Sequence, residues 1–311
     1  MRVLILGSAA GGGFPQWNCR CPNCSSVRAG TFHGKARSQT QVAISADGNS
    51  WFLLGASPDL RYQIESMPAL QPCVNNSSQD IRQSPIAGAV FANADIDHVL
   101  GLLLLRELQP LSIHATLSVR RILSEDNSMF AMLNRVRGQL TWTEFEPDEE
   151  FPLLNADSED SGLTCLALSL GRHYPAYVTQ FRQTELSRRE ASLGLFIESS
   201  TGKRLAFLPA VPQIDNVLLH DLESTDVVLL DGTFWSDDEL IRIQGHGQTA
   251  EEMGHVPVEE SLRRLAELRH PRKIYLHINN TNPMLDESSA EHRQVRDAGW
   301  EIAEDGWQFE L

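Results

Sequence analysis

Residues 91–101, FANADIDHVLG, constrain this chain more than any other stretch. Just before them, residues 86–91 form a continuous apolar run of the length of a buried strand. Just after, residues 99–105 form a second apolar run, long enough with Arg106 and Glu107 to be a helix. Between the two lie Asp95, Asp97 and His98. A strand that ends in clustered Asp and His ahead of a helix delivers ligand-type side chains to the carboxyl edge of a sheet, where α/β proteins build their sites.

The same pattern returns downstream. Residues 227–230 read as an apolar strand ending at Asp231-Gly232, and residues 274–276 as a strand ending at His277. Taken singly, a strand-end Asp caps a turn and a buried His satisfies a carbonyl. Three such ends, carrying Asp97 with His98, then Asp231, then His277, point to a metal centre on one sheet pattern. Gly254-His255 stands just ahead of a helix expected over 258–268.

The remainder alternates strands, loops and helices. Residues 2–6 form a strand that runs into a glycine loop at 7–13. Such a loop cradles phosphate when a helix follows, but FPQWN is no helix start, so a tight turn close to other backbone is expected. Residues 41–45 and 51–54 pair as a hairpin through Asp47-Gly48. Ser57-Pro58-Asp59 opens a helix with Ser57 as its cap. Residues 75–83 are a polar loop, and Thr116 and Asn127 cap two further helices. The acidic segment 144–160 reads as solvated surface, and 163–170 as a strand. Residues 171–191 form a long connection with His173, Tyr174 and Tyr177, the kind that becomes a lid or substrate wall. Residues 193–197 and 205–208 are strands turning at Thr201-Gly202, 287–298 a helix, and 300–311 a hairpin turning at Asp305-Gly306. Since no low-complexity linker divides the chain, one domain over 1–311 is expected, with two layered sheets and flanking helices.

Cys19-Arg20-Cys21-Pro22-Asn23-Cys24 places three thiols close together in a loop, the usual source of tetrahedral zinc ligands. They suit a structural zinc whose fourth ligand the sequence does not name. Cys73 and Cys165 are isolated and read as structural thiols. Composition excludes other classes. A net charge of −15 opposes binding to nucleic-acid phosphates and to anionic membranes. The longest apolar run is far too short to cross a bilayer, and the apolar start is too short for a signal peptide. A soluble, cytoplasmic protein is therefore expected.

The blocks GSAAGGGFPQWNCRCPNC, ASPDLRYQI, DIDHVLGLLLLRE, LLDGTFWSDDE, MGHVP and HINNTNP together resemble the pyrroloquinoline quinone (PQQ) biosynthesis protein B family. That resemblance implies an α/β fold, the αββα metallo-β-lactamase sandwich of two mixed sheets flanked by helices. The superfamily motif H-x-H-x-D-H falls on residues 93–98, where Asn93 and Asp95 replace the two leading histidines and Asp97 and His98 are intact. By resemblance, Asp97, His98, Asp231 and His277 hold the active-centre metal and His255 transfers protons; should His255 be structural only, Asp95 is the other candidate catalytic residue to carry the proton. Phosphodiesterase relatives pair a cysteine cluster with a histidine three places after the late histidine; that place here is Asn280, a poor zinc ligand. Ala210-Val211-Pro212-Gln213 departs from the G-L-G-Q of many relatives, and residues 171–191 do not align clearly.

The altered motif has a chemical consequence. A two-metal hydrolase needs ligands that hold two ions ~3.5–4 Å apart, and Asn93 with Asp95 impairs one of the two positions. Two imidazoles and a carboxylate with open positions are instead the ligand set of non-haem Fe(II) oxygenases. The resemblance likewise implies Fe(II)- and O2-dependent hydroxylation of a tyrosine ring in a Glu-Tyr-derived precursor cut from a small peptide. Arg61, Arg106 and Lys35 are candidate partners for that substrate's carboxylates. Other proteins of the PQQ pathway and a homodimer are the partners it suggests. The competing expectations are a phosphodiesterase-type hydrolase of the same fold and a non-catalytic carrier of PQQ or its precursor.

Overall fold

The computed structural model describes residues 1–72, 81–155, 157–171 and 174–311. Its strands in chain order are β1 (Arg2–Gly7), β2 (Gln41–Ser45), β3 (Trp51–Leu54), β4 (Ile86–Val90), β5 (Leu111–Ala115), β6 (Leu140–Glu144), β7 (Glu150–Leu154), β8 (Asp160–Gly171), β9 (Ser192–Ser199), β10 (Arg204–Leu208), β11 (Val227–Asp231), β12 (Arg272–Leu276), β13 (Trp300–Ile302) and β14 (Trp307–Glu310). They form two sheets, ordered β14-β1-β2-β3-β4-β5-β6 and β13-β12-β11-β10-β9-β8-β7. Both are mixed: β3 to β6 run parallel beside the antiparallel β14, β1 and β2, and β10 to β13 run parallel beside the antiparallel β7, β8 and β9.

The two-residue period of a strand explains the layering. Val3 and Ile5 of β1 join Val227 and Leu229 of β11 in the core between the sheets. Their neighbours face outward: Leu4 and Leu6 pack under Leu60 and Ile122, while Val228 and Leu230 pack under Leu222, Val258 and Val295. The covering helices are α1 (Pro22–Ala29), α2 (Leu60–Ser66), α3 (Ile96–Val99), α4 (Leu117–Ser124), α5 (Gln180–Gln183), α6 (Asn216–Glu223), α7 (Glu239–Gln244), α8 (Val258–Arg264) and α9 (Ala290–Asp297). The result is the expected α/β sandwich, helix layer on sheet on sheet on helix layer.

Several local readings need correction. Residues 300–311 are not a hairpin: β13 pairs with β12 in one sheet and β14 with β1 in the other. Asp305 between them accepts from Ser8 and Ser38, and the Gly306 amide donates to Ile5, so the turn stitches the sheets together. The apolar run at 99–105 is a 3-10 turn following the short α3. Ser57 is not the N-cap of α2; Asp59 holds that place, and the Ser57 hydroxyl accepts from the Asp59 amide and donates to Gln63. Thr116 does cap α4, whereas Asn127 leads into a 3-10 turn. The acidic segment 144–160 contains the edge strand β7, with Phe145 and Leu153 buried. Cys165 is fully buried between the sheets. Cys73, His173 and most of the stretch 75–83 lie outside the described residues.

The three strand ends that carry ligand-type residues lie on two sheets, not one. β4 belongs to the first sheet, β11 and β12 to the second. Asp231 pairs in register with Leu276, so His277 emerges beside it. The site therefore sits at the rim where the carboxyl ends of both sheets converge. The glycine loop after β1 closes this rim: the Ala10 amide donates to Ile278, the Ile278 amide to Ser8. A Cβ at Gly11 would lie 3.1 Å from Asp97 Oδ2, so the backbone there runs against the site itself.

Candidate metal centre

Asp97 and His98 lie in α3, immediately after the Asp95 cap. His277 follows β12 with φ of 56°, the left-handed region that a non-glycine residue enters at a cost of ~1–3 kcal/mol. The neighbouring backbone holds it there: the Ile278 amide donates to Ser8 and the Gly232 amide to Leu276. The reward is geometric. His277 Nε2 lies 3.2 Å from Asp97 Oδ2, and His98 Nε2 lies 3.7 Å from the same oxygen. Adjacent donors of one ion with ~2.1 Å bonds stand ~3.0–3.4 Å apart, from octahedral to tetrahedral angles. Asp97, His98 and His277 thus converge as a three-donor face.

The protonation states suit a metal. Burial pushes the His98 imidazole down to about 4, leaving it neutral. Burial alone would raise Asp97, but His98 and the His277 contact outweigh it and hold the carboxyl below its ordinary range. Neutral imidazole and ionised carboxylate are the states that bind a cation.

Thr233 sets the orientation. Its hydroxyl lies 2.6 Å from Asp231 Oδ1 and 2.8 Å from His277 Nδ1. A hydroxyl has one proton to give; given to the carboxylate, it leaves the oxygen to accept Nδ1–H of His277. That tautomer frees His277 Nε2 toward Asp97. The reading from residues alone passed over Thr233, although a Thr two places after a strand-end Asp signals a local hydrogen-bonded turn.

Asp231 is fully buried, and each of its oxygens accepts two hydrogen bonds. The Thr233 amide and hydroxyl donate to Oδ1; the Val211 amide at 2.9 Å and His255 Nδ1 at 2.7 Å donate to Oδ2. Asp231, His255 and His277 also offer ligand atoms close enough for one ion. That group and the group of Asp97, His98 and His277 share His277, whose Nδ1 is taken by Thr233. One free nitrogen can serve one ion at a time, so the two groups compete for His277. Ligation by Asp231 would require it to give up hydrogen bonds it already accepts. Burial lowers His255, but the charge and hydrogen bond of Asp231, with Asp95 and Asp97 beyond, raise it overall. With Nδ1 on Asp231, its Nε2 is the nitrogen left for the cavity.

Asp97, His98, Thr233, His255 and His277 line a cavity of about 530 Å³ with Asn93, Asp95, Tyr174, Phe234, Glu252, Met253 and Asn279. Asn93 Oδ1 accepts the Asp95 amide. Burial, and then the charge of Asp97, push Asp95 up to about 6. Tyr174 comes from the long 171–191 connection, whose Tyr177 donates to the Ala94 carbonyl beside the ligands. Arg61, Arg106 and Lys35 are not among the described lining residues. Arg106 pairs with Glu107 and Lys35 with Glu304, so neither is poised for substrate carboxylates.

The cysteines gather as expected, though not wholly in a loop. Cys21 caps α1, accepting from the Cys24 amide, and Cys24 lies in the helix. The three sulfurs come within 4.8 Å of one another.

Comparison with known proteins decides the family. A beta-lactamase superfamily domain model matches residues 50–278. A coenzyme PQQ synthesis protein B of Methylobacterium sp. (strain 4-46) is 40% identical over the whole of both chains. One from Acinetobacter baumannii (strain ACICU) is 37% identical, again over the whole of both. The chain belongs to the coenzyme PQQ synthesis protein B family. The fold agrees: Zn(2+)-bound PqqB from Methylobacterium extorquens superposes with a TM-score of 0.89 at 36% identity, covering both chains fully. A diphosphatase of the PhnP family shares the fold, with a TM-score of 0.67 at 19% identity over 100% of this chain and 97% of that one. No helix among the described residues is long and apolar enough to cross a membrane.

Proposed function

We propose that this PQQ synthesis protein B is a mononuclear non-haem iron hydroxylase that acts on the tyrosine ring of a Glu-Tyr-derived PQQ precursor. The observation that carries the reading is the face of Asp97, His98 and His277, two imidazoles and one carboxylate around a single point. Bound there, Fe(II) would supply O2 activation. Asn93 and Asp95, where a second ion's imidazoles would stand, contribute an amide already engaged with the backbone and a carboxyl raised toward neutrality. Those two positions speak against a two-metal hydrolase.

The chain's own residues supply the rest. Tyr174, Phe234 and Met253 offer apolar walls to an aromatic ring, in a cavity of the size usual for small-molecule sites. His255, held by Asp231, presents Nε2 as the base that accepts the proton released when a ring C–H becomes C–OH. Asp95 is a second carrier, poised by its raised pKa. Asp95, Asp97 and Glu252 repel a phosphodiester and favour a substrate that brings an ammonium group. A cytoplasmic location fits this chemistry, and other proteins of the pathway would deliver the precursor.

The test is anaerobic reconstitution with Fe(II), followed by a Glu-Tyr dipeptide, ascorbate as the two-electron donor, and air. The reading expects iron-dependent O2 consumption and a product one oxygen atom heavier. Cleavage of a phosphodiester by the same preparation, with no O2 consumed, would replace it with the hydrolase reading.

A further inference from the structure

Asn279 lines the cavity, half-buried and two residues after His277. Its backbone amide donates to the Thr233 carbonyl, which anchors it to the turn that orients His277. Its side-chain Nδ2 lies 2.5 Å from Thr281 Oγ1, and that hydroxyl lies 2.5 Å from Glu239 Oε1. Glu239 Oε2 accepts the Trp235 amide. Thr281 and Glu239 are buried, and neither lines the cavity. The two ends of an Asn amide have the same shape, and the hydrogen-bond network decides between them. A hydroxyl has one proton, and an ionised carboxylate can only accept. Thr281 therefore gives its proton to Glu239 and accepts from Asn279. The Asn279 nitrogen is fixed on Thr281, and its oxygen is left over: no donor among the described residues meets Oδ1.

We infer that Asn279 binds the substrate's ammonium group through Oδ1, with Thr281 and Glu239 as the positioning residues that keep its oxygen, not its nitrogen, for the substrate. The inference rests on the reading of the substrate as a Glu-Tyr-derived molecule. Charge selects the group received. Asp95, Asp97 and Glu252 line the same cavity, and no Lys or Arg does so among the described residues. A field of carboxylates attracts a cation without fixing its direction. A held acceptor adds that direction, and a hydrogen bond from an ionised donor is stronger than a neutral one. The substrate's other donors, its phenol and its peptide N–H, are common to both ligands of the test.

Calorimetric titration of the Zn(II)-loaded protein, which needs no turnover, compares Glu-Tyr with glutaryl-tyrosine, in which hydrogen replaces the ammonium. A pH of about 7.5 lies above the Glu239 value of about 7 and below the ~7.7–8.0 of a peptide amine. Wild type should prefer Glu-Tyr. Asn279→Ala should cut that preference roughly tenfold with glutaryl-tyrosine binding little changed. Asn279→Asp keeps an acceptor and should retain the preference, which decides the matter should the alanine variant fail to fold. Glu239→Gln, outside the cavity, donates to Thr281 and sends the Thr281 proton to Asn279. The Asn279 amide then turns over, and the preference should fall as in Asn279→Ala. Equal loss for both ligands in either Asn279 variant would overturn the inference. So would an undiminished preference in Glu239→Gln, or wild type that binds neither ligand or both equally. The predicted preferences without any O2-dependent product from the iron-loaded protein would uphold this inference and remove the hydroxylase reading alone.

Discussion

Glu239 is a buried carboxylic acid whose removal has a calculable effect on stability. It lies at the start of α7, accepting the Trp235 amide at 2.6 Å and the Thr281 hydroxyl. Burial pushes it up from 4.5 to about 7. A carboxyl whose folded pKa exceeds its unfolded one holds its proton longer in the folded chain. Stability therefore falls as pH rises between 4.5 and about 7, and levels off above. At 1.36 kcal/mol per unit, the ionisation cost at high pH is about 3 kcal/mol, of which roughly 2–3 kcal/mol develops between pH 5 and pH 8. Glu239→Gln keeps the shape, accepts the Trp235 amide through its oxygen and donates to Thr281 through its nitrogen, with nothing left to ionise. The variant should match wild type near pH 5 and melt about 3–5 °C higher at pH 8. Thermal unfolding of both proteins across that range isolates Glu239 from the histidines, which titrate equally in each. A constant difference from pH 5 to pH 8 would refute the reasoning and make Glu239 an ordinary ionised carboxylate.

Three further outcomes follow from the site. Cys21→Ser should lose the structural zinc and unfold at lower temperature, since a structural ion contributes binding energy to folding; full zinc with unchanged melting would remove the cysteines from the metal account. Thr233→Val keeps the volume but lets the His277 ring turn, so affinity for the active-centre metal should fall roughly 10–100-fold while the cysteine zinc stays; equilibrium dialysis with Fe(II) or Co(II) reads this directly, and unchanged affinity would deny Thr233 its orienting role. His255→Ala should keep its metal and slow turnover by about 10²-fold; loss of metal would make His255 a ligand, and unchanged turnover would leave proton transfer to Asp95.

How much was legible from residues alone follows from where each interaction lies along the chain. The strand ends at 91, 231 and 277 stood out because ligand residues interrupt apolar runs, a local signal. Their assignment to one sheet was wrong because sheet membership is a long-range property; β4 and β11 are equally apolar whichever sheet they join. The hairpin at 300–311 failed for the same reason. Asp305-Gly306 does turn, but its carboxylate is claimed by Ser8 and Ser38 from the opposite end of the chain. The short α3 and its 3-10 continuation could not be told from one longer helix by hydrophobicity alone. Thr233 and Glu239 went unrecognised because nothing about their neighbours in sequence shows what they touch. Asn280 was judged on its chemistry as a ligand and set aside, yet the fold delivers it to the three cysteines.

The central claim is that Asp97, His98 and His277 hold one ion that brings O2 to an aromatic ring. Single turnover of the iron-loaded protein with a Glu-Tyr dipeptide and ascorbate as the two-electron donor, under isotopically labelled dioxygen in unlabelled water, tests it most directly. The account predicts heavy oxygen on the tyrosine ring in wild type, and neither the label nor bound iron at the centre in Asp97→Ala. A product whose new oxygen comes from water, or labelled product formed undiminished by Asp97→Ala, would contradict it.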